Sequence, residues 1–179
     1  TALALRPGYV DAMWNKALLV LRNGDFKTGW PLYEQRWNNP SFTDRKPDIA
    51  APYWTGQFDI KGKTILLFSE QGLGDCIQFA RLAKNVSQLG ARVILAVPKR
   101  LVSFLSRIEG VSQTIERGGT MPDVDCVCAL MSLPLALKLT LQEEGLSSPY
   151  LSADPVRVER FGKKLGPAHG QRIGIVWSG

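Results

Sequence analysis

The chain has 179 residues, 45% of them hydrophobic, with a formal charge of +6 and a pI near 9.4. That length and apolar content suit one ordinary domain with a small appendage and exclude a disordered chain. Lys and Arg are scattered among 16 acids with no basic run interleaved with aromatics, so no nucleic-acid partner is expected, and no apolar run reaches the ~18 residues of a membrane span.

Residues 1–40 read as helical. The start TALALRPG lacks the basic opening and long apolar centre of a signal peptide. After Pro7, GYVDAMWNKALLVLRNGDFKTGWPLYEQRW breaks at Asn23-Gly24-Asp25 and closes before Pro40, the pattern of a helical hairpin. Pro31 fits if it lies in the first turn of the second helix or kinks it. Ala17 and Gly29 supply small residues where the helices touch, Tyr33 takes an aromatic position, and Pro7 and Pro40 stand 33 apart. In these features the hairpin resembles a tetratricopeptide repeat of ~34 residues. Lys16 stands where leucine is usual and Arg36 where alanine is usual, so the unit reads as a terminal or capping one. Such repeats come in arrays of about three or more, and the chain is expected to continue on its N-terminal side.

Residues 41–61, SFTDRKPDIAAPYWTGQFDIK, carry no helical or alternating period and read as a connector. Its aromatics Tyr53, Trp54 and Phe58 either line a ligand groove or, more commonly, pin the connector to a neighbouring domain.

From Lys63 short apolar runs alternate with amphipathic ones. The expected order is strand 64–68, helix 75–90, strand 92–98, helix 99–110, strand 111–117, strand 124–130 and a short helix 132–140. Apolar strands alternating with helices predict a doubly wound, Rossmann-like parallel sheet over 62–155. Residues 156–166 read as a linker helix, and QRIGIVWSG as the first strand of a second such unit, cut short at Gly179. His169, the single histidine, falls in a Gly/Pro-rich joint and reads as a loop residue.

The turn SEQGLGD, at 69–75, joins the first strand to its helix. It is not a phosphate loop: Gly62-Lys63-Thr64 precedes the strand, and Gln57 stands where the first glycine belongs. It is not a dinucleotide fingerprint either, because Ile77 takes the third glycine position and the second strand ends in Val97-Pro98-Lys99 without the ribose-binding acid. Cys76 lies at a helix start that favours a thiolate, yet no nearby histidine completes a nucleophilic site. Small apolar packing is its expected role, as for Cys126 and Cys128. Three cysteines without zinc or disulfide spacing point to a reducing compartment, the cytoplasm. Asp123 and Asp125 lack a third oxygen ligand close by, so no metal is expected.

EQGLGDCIQF, ARVILAVP, GVSQTIERG and PDVDCVCALMSLP, in that order with the WTGQFDIKGKTILL lead-in and the GIVWSG end, resemble the N-terminal domain of heptosyltransferase-like glycosyltransferases of GT-B architecture. The whole chain is similar to bacterial proteins in which tetratricopeptide repeats precede such a domain. The resemblance implies an acceptor-side domain facing a C-terminal domain that binds a nucleotide sugar, transfer to a glycan or protein hydroxyl, and neither a cofactor nor an obligatory metal. It implies that Asp75 is the general base, and that this fragment is inactive without the donor domain.

The physics of the turn is compatible with that role. A carboxylate at the carboxyl end of a central strand is held at the ligand edge, where it can take a proton from a sugar hydroxyl. Gly72 and Gly74 would let an acceptor approach the backbone. Asp75 is equally suited to cap the helix. Glu70 is a competing base, or Glu70 and Gln71 close the turn by hydrogen bonds. Lys99 and Arg100, at the same edge, either contact an acidic acceptor or face solvent. The other class of function is a non-catalytic interaction module, binding a protein partner through the hairpin.

Overall fold

The computed structural model describes residues 2–140, 149–167 and 170–177. His169, Ser178 and Gly179 lie outside the described residues. The N-terminal part comprises α1 (Ala2–Leu5), α2 (Val10–Arg22) and α3 (Phe26–Tyr33), which runs into a 3₁₀ turn at Glu34–Asn38. Asp25 caps α3 by accepting from the Thr28 amide at 3.0 Å. The hairpin closes where expected: Ala17 and Gly29 are buried, and a Cβ on Gly29 would meet Leu21 Cδ2 at 2.5 Å. Pro31 lies beyond the first turn of α3, and the helix tightens to 3₁₀ geometry just past it.

The remainder is built on four strands, β1 (Thr64–Phe68), β2 (Arg92–Val97), β3 (Val111–Glu116) and β4 (Cys126–Ala129). All pair in parallel in the order β3-β2-β1-β4. The helices between and after them are α4 (Leu73–Ala80), α5 (Ala83–Gln88), α6 (Lys99–Leu105) and α7 (Leu133–Ala136), followed by α8 (Pro155–Leu165). The expected helix 75–90 is two helices. Arg81 Nε donates to the Gln78 carbonyl at 2.8 Å, and the Leu82 amide turns to Phe79 O at 3.0 Å, which breaks the α-helical ladder between them.

The two faces of the sheet are covered differently. One, with Ile65, Leu67, Val93, Leu95 and Cys128, packs against α4, α5, α6 and α7. The other, with Leu66, Phe68, Ile94 and Val127, carries Trp37, Ile49, Tyr53 and Met121, residues of the 3₁₀ turn, the connector and the link from β3 to β4. Both faces are buried, as the apolar strands require, but the second is closed by loops. The connector also shields the free edge of β4: the Trp54 amide donates to Val127 O at 2.7 Å and the Val127 amide to Pro52 O at 3.0 Å. Trp54 is 2% exposed and its Nε1 donates to Phe58 O at 3.0 Å, so the aromatics pin the connector to the sheet.

Residues 171–177, expected to open a strand, form none. A strand needs a neighbour to pair its backbone, and among the described residues none lies beside this segment, where Ile173, Ile175, Val176 and Trp177 are exposed. No helix among the described residues is long and apolar enough to cross a membrane.

Candidate functional site

The strand order reverses between β1 and β4, which puts the topological switch point beside the carboxyl ends of these two strands. That crevice is where open α/β sheets take ligands. The glycine turn leaves β1 there, and Leu130–Ser132 leaves β4 as a 3₁₀ turn.

The crevice is occupied by a side chain from the hairpin. Arg36, 0% exposed, donates from Nη2 to Glu70 Oε1 at 2.8 Å and to Ser132 Oγ at 2.7 Å, and from Nη1 to Glu34 Oε1 at 2.6 Å. Its guanidinium also lies 4.5 Å from the Trp37 ring centroid and 4.9 Å from that of Tyr33. Ser132 Oγ donates onward to Glu34 Oε1 at 2.7 Å. Burial opposes charge on Arg36, but Glu70 and Glu34 outweigh it and hold the guanidinium above its ordinary value. Burial pushes the Glu70 carboxyl up to about 7, against the pull of Arg36.

Glu70, expected to contact substrate, to compete as the base or to close the turn by hydrogen bonds, is turned inward and 1% exposed. Its oxygens are taken up by Arg36. Gln71 closes the turn by hydrogen bonds. Its Nε2 donates to Tyr33 Oη at 2.6 Å and its amide to Asp44 Oδ2 at 2.7 Å. Gln71, rather than either glycine, carries the left-handed backbone of the turn, at φ 60°. Asp44 also accepts from Arg117 Nη1 at 3.0 Å, and that nitrogen reaches Ser69 O at 3.0 Å. Hairpin, connector and the segment after β3 thus all hold the glycine turn from behind.

Gly72 and Asp75 remain on the open side. The helix starts at Leu73, two residues before the expected start, with Gly72 at the N-cap position. Asp75 sits in the first turn and accepts from the Gly72 amide at 3.1 Å through Oδ2. It caps the helix from inside rather than as the N-cap residue itself. Asp75 is half-buried, while Gly72 and Gly74 are exposed. A Cβ on Gly74 would meet nothing within 4 Å, so the helix start is open to an incoming group.

Lys99 and Arg100 begin α6 at the carboxyl end of β2 and are exposed. Lys99 stands 4.0 Å from Glu116, and among the described residues neither cation has a hydrogen bond to the glycine turn. Cys76, Cys126 and Cys128 are buried with free thiols, each pushed up by burial, the first two to about 11. Asp125 accepts from the Thr64 amide at 2.7 Å, a structural tie between β4 and β1.

Arg36, Ser132, Asp44 and Arg117 are the site residues that sequence reading missed. Only Arg36 left a signal, as a charge at a repeat position that favours alanine.

Among known proteins, the chain is 29% identical over 184 residues to Protein FlbA of Caulobacter vibrioides. The match covers 90% of this chain and 30% of the length of that protein. No family model matches the sequence. No solved structure matches it.

Proposed function

We propose that these residues form the acceptor side of a GT-B, heptosyltransferase-like sugar transferase, with a tetratricopeptide-like hairpin built onto it. In this reading Asp75 takes the proton from an acceptor hydroxyl as its oxygen bonds to the anomeric carbon of a nucleotide sugar. The nucleotide leaves with the bonding pair. Donor binding belongs to a second α/β unit, so the activity is that of the natural protein as a whole. The observation that carries the reading is the half-buried carboxylate of Asp75, on an open glycine-rich helix start at the carboxyl edge of an all-parallel sheet. The FlbA match lends support to treating hairpin, connector and sheet as one unit, because it spans 90% of this chain.

The test is nucleotide release by the complete natural protein across a panel of nucleotide sugars, with glycan and protein acceptors. Release that depends on one donor and one acceptor class is the expected result; silence with every donor would sink the proposal.

A second reading, a protein-interaction module, is favoured by apolar side chains exposed on the N-terminal helices. Leu18 and Leu19 of α2 are 43% and 58% exposed and Leu5 of α1 is 90% exposed, and partners cover apolar surface of this kind. Tight capture of a partner protein, lost on Leu19→Glu, together with silence in the transfer assay, is the outcome this second reading expects.

A further inference from the structure

Arg36 fills the switch point, and a separate space lies on the connector side. A cavity of about 410 Å³ opens there, lined by Asp44, Arg45, Lys46 and Asp48 of the connector, Phe68 at the end of β1, and Arg117 and Met121 after β3, with the Asp44 carboxylate paired to Arg117. That volume lies within the range of small-molecule pockets, roughly 300–1,000 Å³.

The lining combines charged side chains with the apolar side chains of Phe68 and Met121. Lys46 Nζ lies 4.2 Å from the Tyr53 ring centroid and 5.3 Å from that of Trp37. These ring faces hold the ammonium in place without neutralising it. Among the described residues neither Lys46 nor Arg45 has a carboxylate within ion-pair distance. Arg117 uses Nη1 for Asp44 and the Ser69 carbonyl, while its Nε and Nη2 have no acceptor among the described residues. A guanidinium anchored at one nitrogen and open along its other edge presents a two-pronged donor to an oxyanion. Asp48 is exposed and accepts no hydrogen bond among the described residues, which suits hydroxyl donors. Phe68 and Met121 in the lining offer apolar surface to the carbon face of a ring.

We propose that this cavity binds a small acidic saccharide, its carboxylate or phosphate on Arg45, Lys46 and the open edge of Arg117, and its hydroxyls on Asp48. The saccharide part rests on the sugar-transfer reading, whereas the anion site rests on the cavity alone.

Amide chemical shifts of this chain, titrated with glucuronate, glucose 6-phosphate, glucose and inorganic phosphate, test the assignment. Saturable shifts in residues 43–49 and 117–121 are expected with one or both acidic sugars, at least about tenfold tighter than with glucose or inorganic phosphate. Glucuronate and glucose 6-phosphate, compared with each other, decide between a carboxylate and a phosphate. Lys46→Gln and Arg45→Gln, both at exposed side chains, are each expected to weaken binding about tenfold, the effect of losing a charge-assisted contact, with Lys163→Gln on α8 as the unaffected control. Absence of saturable shifts in those segments, equal binding of glucose or inorganic phosphate, or indifference to both variants would overturn the proposal. Acidic-sugar binding with a silent transfer assay would remove the transferase reading alone; transfer without binding here would remove this site alone.

Discussion

Arg36 and Glu70, 34 residues apart in sequence, meet as a buried ion pair in which Nη2 stands 2.8 Å from Oε1 and Nε 3.4 Å from Oε2. The pair joins the helical hairpin to the carboxyl end of β1 and fills the crevice that a ligand would enter in a simpler α/β unit. The hairpin is therefore part of the site's architecture. Breaking such a pair from one side strands a charge in the interior, at a cost of about 3–5 kcal/mol. Arg36→Met is expected to destabilise the chain by that amount in chemical denaturation. Adding Glu70→Leu to it is expected to restore most of the loss, because the orphaned charge goes too.

The same cluster gives stability a pH dependence of known sign. The Glu70 carboxyl is raised from 4.5 to about 7, first by burial. An acid with a higher pKa folded than unfolded binds more protons in the folded state between those values. Its contribution is fully present below about 4.5 and is lost as the pH rises to about 7. The slope inside that window approaches ~1.4 kcal/mol per pH unit. Denaturation midpoints measured on both sides of the window are expected to fall with rising pH in the wild type, and to fall less in Glu70→Gln. Equal slopes in the two proteins would contradict the assignment.

The glycines separate structural from functional demands. Gly56 has φ 94°, and a Cβ there would lie 2.5 Å from the Ala136 carbonyl oxygen. Gly56→Ala is expected to cost about 1–3 kcal/mol, as the left-handed backbone and the clash both oppose it. Gly74 is helical, with open space above it. Gly74→Ala is expected to stabilise by about 0.5–1 kcal/mol. In the sugar-transfer reading it also lowers kcat/KM by crowding the acceptor. A stabilised variant with unchanged kcat/KM would leave Gly74 no part in binding.

Much of the fold was legible because its strands declare themselves. TILLF and RVILAV are apolar and β-branched, bounded by Gly-Lys and Pro, and β1 and β2 follow those limits closely. Less was legible where the cause is tertiary. The break after Ala80 depends on Arg81 reaching the Gln78 carbonyl, a side-chain choice that helical periodicity does not record. The second face of the sheet was expected to carry helices, but the link from β3 to β4 is too short for one, and the connector takes its place. The apolar run in residues 171–177 signalled a strand whose pairing partner the described residues do not include. At the site, sequence singled out Asp75 and the glycines through the strand-turn-helix context. Glu70 stayed open between a competing base and a turn-closing residue, because the partner that turns it inward, Arg36, comes from a separate element.

The central claim is that Asp75 takes the acceptor's proton, and Asp75→Asn tests it most directly. Asparagine keeps an oxygen to accept the Gly72 amide, so the helix start is retained while the basic carboxylate is removed. In the complete natural protein the variant is expected to melt close to the wild type, while nucleotide release that depends on acceptor falls by about 10²–10⁴-fold. Turnover within a factor of about two of the wild type, well short of the effect of losing a general base, would contradict the assignment.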